Sequence, residues 1–488
     1  MANEHTHGGG AGGPLMVGVS GLRGIVGGSL TPEVVARYAG AWAEMVGGGR
    51  HQASGIGHQA GGERPVMVVG RDGRAGGETI ERMAVEALTA AGCDVVRLGV
   101  AMTPTVGVAV RARDAAGGLV VTASHNPGEW NGLKPITPEG SAPMPDIAKE
   151  LVARFERGGV VRAAHPGRAQ DERGATEFHV DRVLEAIARV YPLEKIRARR
   201  MRVVVDSVNA SGARGARLLM DALGCVLTHI HCDESGVFPH TPEPTEENLR
   251  GLCDAVRAEG ADVGFAQDPD ADRLAVVDGD GVYIGEEYTV VLAALSVLES
   301  MSAAEAHRAV MAVNLSTSRM LDDVAARFEA RVVRTPVGEA NVVEGMRRSG
   351  AVIGGEGNGG VILPEVGEIR DSLVGMGLTV ALMARRGGGR GALAGVVEGV
   401  PRYAIVKRKM AFEPGMDARI VARLRGMFAG ATVDEQDGIR LDFDAPSGGG
   451  RAWLHARKSN TEPIFRLIAE APTMADAMAI VDRAGAGS

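Results

Sequence analysis

Short runs of β-branched and aliphatic residues alternate along this chain with helix-like segments. VMVVG leads into ETIERMAVEALTAAG, DVVRLG follows, and GGLVV comes next. The pattern restarts with MRVVVDSVNASGARGARLLMDALG, then HIH, a helix near ENLRGLCDAVRAEG and the strand ADVGFAQD. It restarts again with AVMAVNLSTSRMLDDVAARFEA, then RVVRTPVG and AVIGGEG. Such alternation predicts three α/β domains in series, with mixed, largely parallel sheets. The last part differs: YAIVKRKM, a helix DARIVARLRGMF, then DGIRLDF, AWLHARK, IFRLIAEA and a final helix predict a smaller α+β domain. Between the first two units the polar stretch AAHPGRAQDERGAT reads as a linker. Near the start a helix begins at Thr31, a plausible N-cap, with Pro32 in its first turn. The expected division is a disordered tail over 1–13, α/β domains over 14–170, 171–290 and 291–398, and an α+β domain over 399–488.

Composition narrows the function. A chain of 488 residues fits two to four domains, at roughly 100–200 residues each. Aromatic content of 3% leaves little for stacking against single-stranded nucleic acid. A net charge of −8 gives no general attraction for DNA or anionic membranes, so neither is expected as a partner. An anionic substrate would therefore need a local basic pocket. The four cysteines form no C-x-x-C pair, which fits a reduced, cytoplasmic protein. The N-terminal stretch has no basic segment followed by an apolar core, and no long uninterrupted apolar run predicts a membrane span. His5, His7, His51 and His58 are irregularly spaced and read as solvated loop histidines rather than metal ligands.

Four loops carry candidate chemistry. Thr122-Ala123-Ser124-His125-Asn126-Pro127 follows the apolar strand GGLVV. A hydroxyl at the end of a buried strand is fixed yet reachable, as a nucleophile must be. An ordinary turn serving its own backbone is the plain alternative. Asp268-Pro269-Asp270-Ala271-Asp272-Arg273 follows GFAQ, and its alternate carboxylates can wrap one hard cation. An EF-hand is excluded, because Arg273 and Gly279 stand where its Gly and Glu belong. In Gly354-Gly355-Glu356-Gly357-Asn358-Gly359-Gly360, glycines permit close approach of a ligand, and Glu356 and Asn358 can bond sugar hydroxyls. A flexible linker is the alternative there. Arg457-Lys458-Ser459-Asn460-Thr461-Glu462-Pro463, with Arg466 beyond, offers guanidiniums and hydroxyls suited to a phosphate, and supplies the basic pocket.

Together, in this order, the four loops resemble those of the α-D-phosphohexomutase superfamily. Lesser matches are Ser20-Gly21-Leu22-Arg23-Gly24, Gly70-Arg71-Asp72, Asn131-Gly132-Leu133-Lys134 and Phe238-Pro239-His240 before Pro242-Glu243-Pro244. The resemblance covers nearly the whole chain after residue 14. It implies a heart-shaped, four-domain enzyme with one loop per domain facing a central cleft. Ser124 would be phosphorylated. Asp268, Asp270 and Asp272 would hold Mg²⁺ with an oxygen of that phosphate. Glu356 and Asn358 would orient the sugar. Arg457, Ser459, Asn460, Thr461 and Arg466 would grip the phosphate that is not reacting, and Arg273 would add positive charge. Arg23, His125 and Lys134 would stand near the phosphoserine and assist charge and proton transfer.

The implied activity interconverts a hexose 6-phosphate and 1-phosphate through a hexose bisphosphate, which also serves as activator, in a monomer or homodimer. The glucosamine branch is slightly preferred, because G-E-G-N-G-G resembles its loop. A phosphomannomutase/phosphoglucomutase of broad specificity is the alternative. A non-catalytic sugar-phosphate-binding protein is a different class, which the intact Ser124 opposes. A simple phosphatase is opposed by the second phosphate site. Three positions depart from the better-known branches: Asn358 stands for a usual Ser, Gly360 for a usual His, and Gly73 for a usual Thr. Asn460 stands where Gly is common in the glucosamine branch. The role of that His is empty here or filled from elsewhere.

Overall fold

The computed structural model describes residues 5–7, 13–47, 64–159, 161–411, 415–459 and 464–486. Most of the expected tail, His51, His58, Asn460 and Thr461 lie outside the described residues.

Four sheets are present among them. The first has eight strands, in the spatial order His5–His7, Leu15–Gly18, Gly21–Ile25, Trp130–Ile136, Gly117–Val121, Val66–Arg71, Asp94–Val100 and Ala169–Asp171. Its last four strands run parallel, and the preceding ones join antiparallel. The second sheet runs Val226–Ile230, Arg202–Asp206, Val263–Gln267, Leu274–Asp278. The third runs Arg331–Thr335, Val310–Asn314, Ile353–Glu356, Gly360–Ile362. These two share one topology: three parallel strands and an antiparallel return. The fourth sheet is antiparallel throughout, in the order Ala404–Ala411, Ile464–Ala471, Arg451–Lys458, Ile439–Asp444, Thr432–Asp434. Three α/β domains followed by an α+β one are therefore the architecture. The central parallel strands are buried on both faces, which is why GGLVV and VGFAQ lack alternation.

Two stretches differ from the expectation. His5–His7 lies within the expected tail, yet it pairs with Leu15–Val17. The polar stretch expected as a linker contributes Ala169–Asp171, which adds an edge strand beside Asp94–Val100. Two expected boundaries also fall inside elements. The one at 170/171 cuts that strand, and the one at 290/291 cuts the helix Glu287–Leu298.

That helix and a second, Ser372–Arg385, are apolar on nearly every side, so both are buried. Ser372–Arg385 packs on Glu287–Leu298 and also on the helices Ala175–Val190 and Gly212–Ala222. Asp371 caps it, accepting from Leu373 N at 2.8 Å. One apolar cluster consequently runs from Met102 to Val400, through parts of all three α/β units. The C-terminal sheet has its own cluster, from Ile420 to Ala484.

Candidate active site

Each of the four loops joins two strands that pair antiparallel. In the three α/β sheets a buried parallel strand arrives and an antiparallel strand returns, so the loops sit at the carboxyl ends of central strands, where open α/β sheets bind ligands.

Ser124 lies in the turn after Gly117–Val121 with φ of 50°, a left-handed conformation unusual for a side-chain-bearing residue. Its surroundings impose that shape. Ser124 N donates to Thr122 Oγ1 at 2.8 Å, and Thr122 Oγ1 donates to Asp72 Oδ2 at 2.6 Å. Arg74 pairs with Asp72 at 2.8 Å, both side chains fully buried. The same guanidinium donates to Ser124 O, to Trp130 O at 2.8 Å and to Asn126 O at 3.3 Å. Ser124 Oγ is thereby aimed at the next loop, 2.9 Å from Asp268 Oδ2, with His125 Nδ1 at 3.3 Å. Arg23 donates to Asn126 Oδ1 at 2.8 Å. The nearby Arg273 charge, burial and Arg23 hold the His125 pKa well below its ordinary value. These influences favour the neutral form of the imidazole.

Asp268, Asp270 and Asp272 are all fully buried, with carboxylate oxygens within 4.8 Å of one another. Gln267 and Leu274 pair to close their turn. Thr103 Oγ1 donates to Asp270 Oδ2 at 2.6 Å. Asp272 Oδ2 receives Lys134 Nζ and Arg370 Nη2, each at 2.6 Å. Asp270 Oδ1 and Asp272 Oδ1 are buried with no hydrogen-bond partner among the described residues. Burial pushes the Asp268 carboxyl well up, and Asp270 and Asp272 add to it. Burial also works against Asp272, but Arg370, Lys134 and Arg273 outweigh it and hold that carboxyl below the usual range. Buried carboxylates with bare oxygens are costly. A hard divalent cation bound by oxygen would satisfy them, so the residues present fit a metal. Arg273 N donates to Asp268 Oδ1 at 3.1 Å, and its side chain stands 3.9 Å from Asp272 Oδ1. Lys134 is disfavoured as a cation by burial, yet Asp272, Asp270 and Glu339 raise its pKa above the ordinary value.

The third hairpin closes at the pair Glu356–Gly360. Gly359 has φ of 85°, and a Cβ there would lie 2.4 Å from Leu274 O. Its own carbonyl accepts from Leu274 N at 3.0 Å, which ties this loop to the aspartate hairpin. Glu356 is held by four donors: Asn314 Nδ2 at 2.8 Å, Gly338 N at 3.1 Å, Arg370 Nη1 at 2.7 Å and Asn358 Nδ2 at 3.4 Å. Gly360 carries no side chain, and a Cβ on it would lie 2.2 Å from Arg370 Cδ. The room beside position 360 belongs to Arg370.

In the fourth hairpin Arg457 and Arg466 are register partners. Like charges directly opposite destabilise a sheet, so such a pair calls for negative charge nearby. Asp437 partly meets the call: Arg457 Nε donates to its Oδ2 at 2.8 Å, while Arg457 Nη2 has no hydrogen-bond partner among the described residues. Ser459 is buried, with its N donating to Ile464 O at 2.8 Å. Val337 N donates to the same Asp437 oxygen at 3.0 Å. Polar contacts thus run from Arg457 through Asp437, the 337–338 turn, Glu356, Arg370 and Asp272 to Lys134. One network of polar contacts therefore links residues of all four hairpins.

Sequence reasoning missed Asp72's partner Arg74, and Thr103, Glu339, Arg370 and Asp437. Arg74 lies two residues beyond Gly70-Arg71-Asp72, and Arg370 lies one before the helix cap Asp371. Those two had a neighbouring signal; the other three had none.

Comparison with known proteins accords with this geometry. Models of the phosphoglucomutase/phosphomannomutase family match in three parts: alpha/beta/alpha domain I over residues 14–160, domain II over 177–281 and domain III over 285–402. The chain belongs to this family, and it is a phosphohexomutase, an enzyme of the isomerase class. A Thermococcus kodakarensis protein named "Phosphoglucomutase/phosphomannomutase" is 34% identical over 461 residues, covering 93% of this chain and 94% of that one. A Methanopyrus kandleri protein named "Probable phosphoglucosamine mutase" is 32% identical over 464 residues, covering 93% of each. The crystal structure of a Burkholderia thailandensis phosphoglucomutase/phosphomannomutase family protein superposes with a TM-score of 0.78 at 26% identity, covering 97% of this chain and 99% of that one. Among the described residues no helix is long and apolar enough to cross a membrane.

Proposed function

We propose that this phosphohexomutase interconverts the 6- and 1-phosphates of a hexose by way of Ser124, with glucosamine phosphate as the preferred sugar. The observation that carries the first part is Ser124 Oγ standing 2.9 Å from Asp268 Oδ2 in the same contact network as the Arg457–Arg466 pair. That arrangement offers one site for a reacting phosphoryl and another for a second phosphate.

In the proposed cycle the phosphate on Ser124 passes to a sugar hydroxyl. The bond from phosphorus to Oγ breaks, a bond to the sugar oxygen forms, and the hydroxyl proton leaves to a neighbouring base. His125, beside Ser124, is the base in this proposal. The resulting hexose bisphosphate turns over and returns its other phosphoryl to Ser124. Arg23, Lys134 and Arg273 supply positive charge. Asp268, Asp270 and Asp272 would hold the metal, taken to be Mg²⁺, close to Ser124. That metal, when bound, neutralises charge on the transferring phosphoryl. Glu356 and Asn358 orient the sugar, and Arg457, Ser459, Asn460, Thr461 and Arg466 hold the idle phosphate. Positioning and charge neutralisation carry the catalysis. The same proposal makes the protein cytoplasmic, a monomer or homodimer, with the second domain ending before the helix Glu287–Leu298.

The sugar preference rests on the G-E-G-N-G-G loop and on relatives such as the Methanopyrus kandleri protein. The broad-specificity alternative is favoured by the Thermococcus kodakarensis relative. One experiment tests both parts. Purified protein with Mg²⁺ and a trace of hexose bisphosphate is given glucosamine, mannose or glucose 6-phosphate, and 1-phosphate formation is followed. Turnover should be highest for glucosamine 6-phosphate and vanish in Ser124→Ala. Full turnover in Ser124→Ala would sink the serine mechanism. A mannose or glucose substrate with the larger kcat/KM would move the protein to the alternative.

A further inference from the structure

Arg370 stands where the metal loop and the sugar loop meet. It is 8% exposed and comes directly before Asp371, the cap of the buried helix Ser372–Arg385. Asp371 Oδ2 lies 2.7 Å from His179 Nε2, which fixes the backbone at this point from a second element. Arg370 N donates to Glu339 Oε1 at 2.7 Å. The guanidinium then forks. Nη1 donates to Glu356 Oε2 at 2.7 Å and Nη2 to Asp272 Oδ2 at 2.6 Å, while Nε faces Glu339 Oε2 at 3.6 Å. Lys134 reaches the same Asp272 oxygen and lies 4.0 Å from Glu339, but it forms no ion pair with Glu356. Gly360 leaves the room that the Arg370 stem occupies.

A planar fork shared by two carboxylates distributes its charge between them. A dication on the bare oxygen of Asp272 draws that carboxylate's charge away from Arg370. The guanidinium is then freer to fix Glu356 in the place a sugar needs, and a sugar that engages the fixed Glu356 keeps the guanidinium there and leaves Asp272 to the cation. We infer that Arg370 is a positioning residue that couples the Asp268-Asp270-Asp272 cation site to the Glu356 sugar loop, so that filling either site strengthens binding at the other. The inference rests on the reading of Glu356 as a sugar contact.

Reciprocity makes it measurable, because each ligand must change the other's affinity by the same factor. Mn²⁺ binding is read by electron paramagnetic resonance, with and without the hexose 6-phosphate turned over fastest. Binding of that sugar phosphate is read by calorimetry with and without Mn²⁺. Wild type should show one common factor above unity. Arg370→Lys keeps the charge but cannot fork, and should show a factor near one, with Mn²⁺ affinity lower by about 10–100-fold, as for other supports of metal ligands. Gly360→Ala pushes on Arg370 from the facing strand and should lose the factor too, which keeps the test open if Arg370→Lys does not fold. Either folded variant keeping the wild-type factor overturns the inference, as does a wild type with none. Turnover by wild type is read in the same preparations. Turnover without coupling sinks this inference alone, whereas absence of both turnover and sugar binding sinks the reading beneath it.

Discussion

Glu287 opens the helix Glu287–Leu298 with its carboxyl group under the sugar loop. Ser318 N donates to Oε2 at 3.1 Å, and a Cβ on Gly357 would lie 1.9 Å from that oxygen. Burial pushes this carboxyl up to about 8, against the pull of Lys407 at 3.9 Å and with the help of Glu286 and Glu470. The unfolded chain loses this proton near the ordinary value of 4.5, whereas the folded chain keeps it to about 8. Across that window the folded state binds more protons, so stability is present in full below the lower value and is lost as pH rises through the upper one. Glu287→Gln keeps the shape and removes the titration. The melting temperature of wild type minus variant should therefore decline from pH 5 to pH 8.5, by about 2–4 °C for each kcal/mol involved. A difference that stays flat would remove Glu287 as the group responsible.

The serine hairpin shows what an element asks of residues elsewhere. Holding Ser124 at φ of 50° costs on the order of 1–3 kcal/mol. The Asp72–Arg74 pair and Thr122 offset it, through bonds to the Ser124 backbone and to both limbs of the turn. Arg74→Lys retains the charge but cannot bond Asp72, Ser124 O and Trp130 O together. It should lower kcat by about 10²-fold through misplacement of Oγ, with KM for the sugar phosphate little changed. Normal kcat would show that the turn holds its shape without the clamp. The turn itself was legible in the sequence, because Thr-Ala-Ser-His-Asn-Pro is local and follows an apolar strand. Arg74 was not, since it lies 50 residues from Ser124 in the chain. The same contrast recurs elsewhere. Asp268-Pro269-Asp270-Ala271-Asp272 is contiguous, but Arg370 lies 98 residues from Asp272. Strand and helix alternation was visible for the same local reason. The helices Glu287–Leu298 and Ser372–Arg385 escaped notice because residues buried on every side leave no polar stripe to mark a period. The edge strand Ala169–Asp171 escaped because its side chains are exposed and polar, and only its pairing makes it a strand.

At the scale of the whole molecule, two of the apolar clusters divide the labour of joining the domains. The large cluster from Met102 to Val400 binds the three α/β units through Ser372–Arg385, so their hairpins keep a fixed geometry. The C-terminal cluster is separate, and polar contacts help hold its sheet to the rest. Lys407 Nζ meets Glu286 Oε1 at 2.8 Å, Ser316 Oγ lies 2.8 Å from His455 Nδ1, Arg319 N donates to Glu470 Oε1 at 2.9 Å, and Arg440 bonds Leu315 O. Polar contacts of this kind break and re-form more readily than a shared apolar core, so relative motion of this domain is the expectation. Under the proposed cycle, such motion would let the bisphosphate turn over without escaping. A C-terminal sheet with its own core and polar contacts to the rest should also melt apart from the large cluster. Leu378 and Leu424 are both fully buried, one in each cluster, and truncating either to alanine should cost about 2–5 kcal/mol. In scanning calorimetry Leu424→Ala should lower one transition and leave the other in place, and Leu378→Ala should do the converse. Inorganic phosphate should raise the transition that Leu424→Ala lowers, because the Arg457–Arg466 pair belongs to that sheet. A single transition shifted alike by both variants would mean that the polar contacts weld the domains, and the C-terminal hairpin would then have to work as a fixed wall.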